Sequence, residues 1–299
     1  MNTLDRLMML LPVQASGRLG ALRDEVMEVR LRAGRSVQLI HPNGDELVGE
    51  ALTQETLKKI LAALMDYSLY AREDELKKGF FTMDDGCRVG VCGRTAVVGN
   101  EIVGLTAIGS VCVRIGREIQ GCADALLPYV ARDGGARSML LISPPGMGKT
   151  TCLRDLARQM SDLGLCVGIA DERHEIAACH QGIPSVNVGT RTDVMDGCPK
   201  WLAIQQMIRS MAPQAIITDE IGGTKDAQVL ADAARCGIAV IASAHAGTFE
   251  DLELRTCLSD IMRGGIFSTV ALLGGHPGNV LEIRRYRGWS EGGIAWKSE

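Results

Sequence analysis

The chain has 299 residues, 46% of them hydrophobic, and a net charge of −4 from 32 Lys and Arg against 36 Asp and Glu. That length exceeds the usual single domain and predicts two, each with enough apolar material for its own core. The acidic balance, with no Lys/Arg-rich run, argues against nucleic acid held mainly by phosphate neutralisation, and no direct nucleic-acid contact is expected. The ten cysteines are scattered singly and never fall at C-x-x-C spacing. That spacing indicates neither a zinc site nor a disulfide framework and fits a reducing, cytosolic compartment.

The apolar run Leu7 to Val13 is interrupted by Pro12 and falls far short of the roughly 20 residues a membrane span needs. A short amphipathic helix is expected there, with membrane association indirect. Residues 1–117 then read as a small α+β domain. Val26 to Leu31 and Val37 to His41 are predicted strands, and Leu57, Ile60, Leu61 and Leu64 fall at helical spacing behind Thr53, a natural N-cap. From Gly79 to Val113 β-branched segments alternate with Asp-Gly and Gly-Asn turns. No catalytic constellation appears in this part, and its Arg88, Arg94, Arg114 and Arg117 read from composition as solvated or ion-paired strand residues.

Residues 118–299 read differently. Gly121 to Ala131 is expected to be a helix and Arg132-Asp133-Gly134-Gly135 a break. Strands and helices then alternate, which predicts a mostly parallel sheet covered on both faces. Predicted strands are Met139–Ile142, Cys166–Ala170, Ala215–Thr218 and Ile238–Ala242. Helices are expected after residue 149, from near Lys200 to Ala212, and from Ala227 to Cys236. Polar residues collect at the C-terminal ends of the strands, where open α/β sheets bind ligands.

The first of those strands runs into Ser143-Pro144-Pro145-Gly146-Met147-Gly148-Lys149-Thr150-Thr151. Strand, Gly-rich loop and helix in that order are the setting of a phosphate-binding loop, with Lys149 for the β and γ phosphates of ATP and the Thr150 hydroxyl for Mg²⁺. Ser143 stands where the pattern has its first glycine, so the loop is expected to open without the residue best suited to positive φ. Asp219-Glu220 ends a later apolar strand. In that position Asp219 is expected to hold Mg²⁺ and Glu220 to polarise an attacking water, which favours hydrolysis over transfer to a small acceptor. His245 ends a fourth strand, where it could sense the γ-phosphate or orient Glu220. Asp171, Glu172 and Glu175 form a second acidic group. Spacing alone does not decide between a site and a solvated loop paired with Arg173 and His174.

Taken together, SLYAREDELKKGFFTMDDGCRVGVCGR (68–94), VRIGREI (113–119), SPPGMGKTT, ADERHEIAAC, VGTRTDVMDGCPK (188–200), IRSMAPQAIITDEIG and ASAHAGTFEDL make this chain similar to the sporulation stage III AA family. That family is a branch of the secretion-type ATPases that drive type II and type IV secretion and pilus machines. The resemblance implies a RecA-like P-loop ATPase domain behind a smaller N-terminal α+β domain, assembled as a ring, most simply a hexamer, with nucleotide between subunits. It places Asp171 and Glu172 on the family's aspartate box, Asp219 and Glu220 on its acidic strand end, and His245 on its histidine box, and it offers Arg114 and Arg117 as arginine fingers. Its setting implies the mother-cell cytoplasm of a spore former, docked on a membrane-embedded sporulation complex. The competing expectations are a RecA- or AAA+-type nucleic-acid motor and a ring component that binds ATP without hydrolysing it.

Overall fold

A computed structural model of the chain describes residues 2–66, 76–77, 79–99, 101–116, 118–276, 278–290 and 293–298. Most of residues 68–79 in the first stretch of the resemblance, and Arg117, lie outside the described residues. The chain divides into two compact units, Met1–Gly116 and Arg117–Glu299.

In the first unit, α1 (Thr3–Leu10) starts at Asn2, whose side chain accepts from Asp5 N, and Pro12 separates it from α2 (Val13–Ala21). Then come β1 (Glu28–Arg32), β2 (Val37–His41), β3 (Gly44–Val48), α3 (Gln54–Leu64), β4 (Phe80–Thr82), β5 (Arg88–Val98) and β6 (Glu101–Arg114). The Thr53 hydroxyl accepts from Thr56 N at 3.0 Å and so caps α3. The strands form one antiparallel sheet in the order β3-β2-β1-β6-β5-β4. Leu57, Ile60, Leu61 and Leu64 of α3 share its core with Val29, Leu31, Val89 and Val113. Arg114 lies opposite Glu28 in the β1–β6 ladder, and its Nε donates to Glu28 Oε1 at 2.9 Å.

In the second unit the helix expected over Gly121–Ala131 does not form at full length. Between Gly121 and Ala131 only α4 (Leu127–Val130) is helical. Pro128 has no N–H to give a longer helix and its ring would crowd the carbonyl one turn before it; Ala123 N, which a helix starting at Gly121 would leave unpaired, donates to the Asp155 carboxylate at 3.0 Å. β7 (Ala131–Arg132) and β8 (Gly135–Ala136) make a tight hairpin around Asp133 and Gly134, both at positive φ.

The remaining elements are β9 (Met139–Ser143), α5 (Lys149–Asp162), β10 (Val167–Asp171), β11 (Thr192–Asp196), α6 (Lys200–Ser210), β12 (Ala215–Thr218), α7 (Thr224–Arg235), β13 (Ala239–His245), α8 (Asp251–Leu254), α9 (Thr256–Arg263), β14 (Thr269–Leu273), β15 (Val280–Ser290) and β16 (Gly293–Ser298). Among the described residues the sheet order is β11-β10-β12-β13-β9-β14-β15-β16. It is parallel from β11 to β14 and antiparallel through the last two strands. Helix α7 begins earlier than its apolar pattern, because Asp226 accepts from Gly222 N and Gly223 N and closes the helix start. Strand β13 runs on to His245, three residues past its apolar stretch.

The continuous apolar run of β9 follows from burial on both faces. Met139 and Leu141 pack with Leu153, Leu156 and Met160 of α5, whereas Leu140 and Ile142 pack with Ile204 and Met207 of α6 and Leu230 of α7. All ten cysteines are free, and among the described residues no helix is long and apolar enough to cross a membrane. Leu156 is fully buried, so Leu156→Ala should destabilise the second unit by about 2–5 kcal/mol. The chain's tryptophans, Trp201, Trp289 and Trp296, all lie in that unit, so urea unfolding followed by their fluorescence reads it out. A loss under about 1 kcal/mol would contradict the packing described.

Candidate functional site

Ser143 does not have to turn the loop. It is the last, fully buried residue of β9 and stays extended, opposite His245 in the β9–β13 ladder. The turning is done by Gly146 and Gly148, at φ 79° and 80°, the conformation glycine adopts without a steric penalty. The expected handicap of a missing first glycine is therefore absent, and Ser143 has work of its own. Its hydroxyl donates to Pro144 O at 2.6 Å, and the Lys149 ammonium donates to Ser143 O at 3.1 Å, to Ser143 Oγ at 3.0 Å and to Pro144 O at 3.2 Å. Pro144, Pro145 and Gly146 are exposed, and Met147, Gly148, Thr150 and Thr151 are half-buried. Gly148 is the N-cap of α5 and has no side chain to cap with. The first-turn N–H groups and the positive end of the helix thus face the loop, an arrangement suited to an anion.

Strands β9, β13, β12 and β10 are consecutive neighbours, which brings their C-terminal ends together. Lys149 is 6% exposed, and burial lowers its pKa while the charge of Glu220 works the other way. Its Nζ lies 3.1 Å from His245 Nδ1, and His245 Nε2 lies 3.1 Å from Glu220 Oε1. An ammonium only donates, so Nδ1 accepts, and Nε2 carries the proton and donates to Glu220. Glu220 also pairs with Arg173. Its backbone is left-handed, at φ 44°, a strained state for a glutamate held by Ser243, whose Oγ accepts from Glu220 N and whose carbonyl accepts from Ile221 N.

Asp219 is 1% exposed, and neither of its carboxylate oxygens has a hydrogen-bond partner among the described residues. Burial, then the charge of Asp171, push its pKa up to about 7, against the pull of Lys200. A buried carboxyl group without hydrogen bonds is stabilised by a proton or by a cation. Asp219, with the Thr150 hydroxyl, fits the donor set expected for Mg²⁺.

The second acidic group resolves into separate parts. Asp171 accepts from the N–H groups of Glu175, Ile176 and Ala177 at 2.8, 3.1 and 2.9 Å, which makes it the anchor of the loop after β10. Arg154, on α5, holds the same loop by donating to the carbonyls of Glu175 and Ile176. Glu172 faces Lys200 Nζ at 2.9 Å. Burial works against its charge, yet the hydrogen bond and charge of Lys200 keep its carboxyl below the usual range. Of the two readings left open for this group, a site or a loop paired with Arg173 and His174, the structure shows neither alone, because both basic residues reach outside the group. Arg173 goes to Glu220, and His174 Nδ1 lies 2.8 Å from Asp196 of β11.

Lys149, His245, Glu220, Asp219 and Glu172 thus gather at one edge of the sheet. Arg114 belongs to the first unit, where it pairs with Glu28, and Arg117 lies outside the described residues. Arg173, Lys200 and Ser243 were missed as site residues. The signals were a serine inside an otherwise apolar strand, and a lysine just after a proline at a helix start.

A profile described as sporulation stage III, protein AA matches residues 17–290. The chain belongs to that family. It is 41% identical over 266 residues to the stage III sporulation protein AA of Bacillus subtilis, covering 87% of this chain and 86% of that one. It is also 29% identical over 257 residues to the protein SEEDLING PLASTID DEVELOPMENT 1 of Arabidopsis thaliana, covering 82% of this chain and 33% of that protein. Among solved structures, the ATPase DotB of Legionella pneumophila matches 94% of this family member with a TM-score of 0.59 at 13% identity, over 77% of its own chain. The pilus retraction motor PilT, solved with bound ADP, matches 93% with a TM-score of 0.55 at 13% identity, over 80% of its own chain. The fold is that of P-loop secretion ATPases, α/β with a mostly parallel, RecA-like sheet behind a smaller α+β unit.

The Asp219 environment gives a signed prediction. Its folded pKa is raised from 3.8 to about 7, so the folded protein retains a proton that the unfolded chain has lost, and stability falls as pH rises through that window. Asp219→Asn removes the penalty. In EDTA the variant should be more stable than the parent at pH 8 by on the order of 1–4 kcal/mol, with a smaller gain at pH 5. Equal gains at both pH values in thermal melts would contradict the assignment.

Proposed function

We propose that the protein binds Mg-ATP at the 143–151 loop and hydrolyses it, as the motor of a secretion-like sporulation complex. The observation that carries this reading is the unbroken path from Lys149 through His245 to Glu220, beside a buried Asp219 with no partner. Family membership and the likeness in fold to DotB and PilT support it, as does the ADP in PilT.

In this reading the loop N–H groups and the end of α5 take the phosphates, and the Lys149 ammonium turns from Ser143, Pro144 and His245 to a phosphate oxygen. Held by Thr150 and Asp219, Mg²⁺ would supply positive charge against the phosphate oxygens. Glu220 accepts the proton of the attacking water, held in place by the His245 Nε2–H and released from Arg173 as nucleotide enters. Glu172 keeps Lys200 at the edge of the site, where Lys200 Nζ also donates to Glu220 O at 3.4 Å. Arg114 and Arg117 are proposed to act on the nucleotide of a neighbouring subunit in a ring, most simply a hexamer. The proposed setting is the mother-cell cytoplasm, with docking on membrane-embedded sporulation proteins, no span of its own, and no direct nucleic-acid contact.

Two predictions follow from the division of labour. Lys149→Ala should abolish binding of a fluorescent ATP analogue. Glu220→Gln should keep that binding and lower turnover by about 10²–10⁴-fold; parental turnover in the glutamine variant would remove Glu220 as the base. If fingers come from a neighbour, turnover per subunit should rise with protein concentration, and Arg114→Ala or Arg117→Ala should lower it with ATP affinity kept within a few-fold. Flat specific activity from monomer to ring, with both variants fully active, would place the finger within one subunit and favour Arg173.

A further inference from the structure

At the opposite ends of the central strands lies a pocket of about 180 Å³, lined by Arg132, Arg137 and Arg285 with Pro128, Tyr129 and Tyr286. Three arginines line one small volume, and the exposed Asp133 stands 3.6 Å from Arg132 and 3.9 Å from Arg137. Those separations are longer than a hydrogen bond, so the two side chains, 59% and 53% exposed, keep their donors available for a ligand. We propose that this pocket docks an acidic segment of a partner protein, its arginines taking paired carboxylates.

The chemistry selects that occupant. Guanidinium forks match carboxylates two bonds at a time, and clustered arginines are a recurrent way of reading acidic motifs. Proline and tyrosine walls suit the short apolar stem of a glutamate. A nucleic acid presents a line of phosphates and calls for a basic track, whereas these charges converge on one cavity in a chain of net charge −4. The position adds a consequence. Arg137 lies two residues before the start of β9, and Thr269, which also lines the pocket, pairs with Met139 at the start of that strand. The five residues of β9 end at Ser143, so an occupant sits about 15 Å from the phosphate loop along a single strand. The inference does not depend on the nucleotide chemistry proposed above.

The test is fluorescence anisotropy of a labelled hexaglutamate peptide titrated with the full chain. Saturable binding is expected, weakened at least about tenfold when Arg132→Ala and Arg137→Ala are combined, because two bidentate partners are removed. Exposed Arg209, on α6, supplies the control, and Arg209→Ala should leave binding unchanged. An unaltered double variant, an equal loss in Arg209→Ala, or equally tight and equally arginine-dependent binding of a thymidine oligonucleotide or of phosphatidylglycerol vesicles would each overturn the proposal. Both substituted arginines are exposed, so the thermal melt of the double variant should match the parent, and a melt lowered by many degrees would show them to be structural instead.

Discussion

A buried ammonium has to be met by acceptors, and the way Lys149 is met shapes the whole edge of the sheet around it. Its four partners are two carbonyls, one hydroxyl and one imidazole nitrogen. All are neutral, so the cation is solvated by the protein without being neutralised by it. Such a group retains its attraction for an incoming anion. Ser143 can supply two of the four because it remains in β9 and leaves the turning to Gly146 and Gly148. His245 supplies another because its strand pairs with β9 in the register that sets His245 opposite Ser143. A slip of one residue would carry the imidazole to the other face.

The acidic residues divide by the same accounting. Asp171 ends β10 and Asp219 follows the end of the adjacent β12, and both are buried. Asp171 is satisfied by three backbone N–H groups and so is committed to shaping its loop. Asp219 is satisfied by nothing among the described residues, and the charge of Asp171 raises its pKa further. Two carboxylates of similar burial therefore differ in what they can still do, and only Asp219 retains capacity for a cation. Glu220 differs again. It is partly exposed, left-handed in its backbone and bonded to a neutral histidine, which orients the carboxylate and leaves it able to take a proton.

How much of this was legible in the sequence depended on how local each cause was. The parallel strands β9, β10, β12 and β13 were readable because burial on both faces makes them continuous apolar runs, and the loop was readable because only glycines make its turns. The helix expected over Gly121–Ala131 failed for a local reason, since Pro128 falls inside it, has no N–H to donate and crowds the preceding turn. β11 was not anticipated because its partial burial gives no clean alternation, and β14 to β16 were also not anticipated, although β14 is a short buried apolar run like the strands that were. The doubt attached to Ser143 came from reading a glycine position by pattern alone. The contact of Arg173 with Glu220 joins residues 47 apart in sequence, and nothing nearby in the chain announces it.

The central claim is that this edge of the sheet turns over ATP rather than only retaining it. Phosphate release from Mg-ATP by the purified full-length chain, followed over a series of ATP concentrations with and without EDTA, tests that most directly. The account predicts release that saturates with ATP and disappears when the metal is removed. Tight nucleotide binding with no release above the protein-free rate, at any protein concentration, would contradict it and leave a nucleotide-holding structural component in its place.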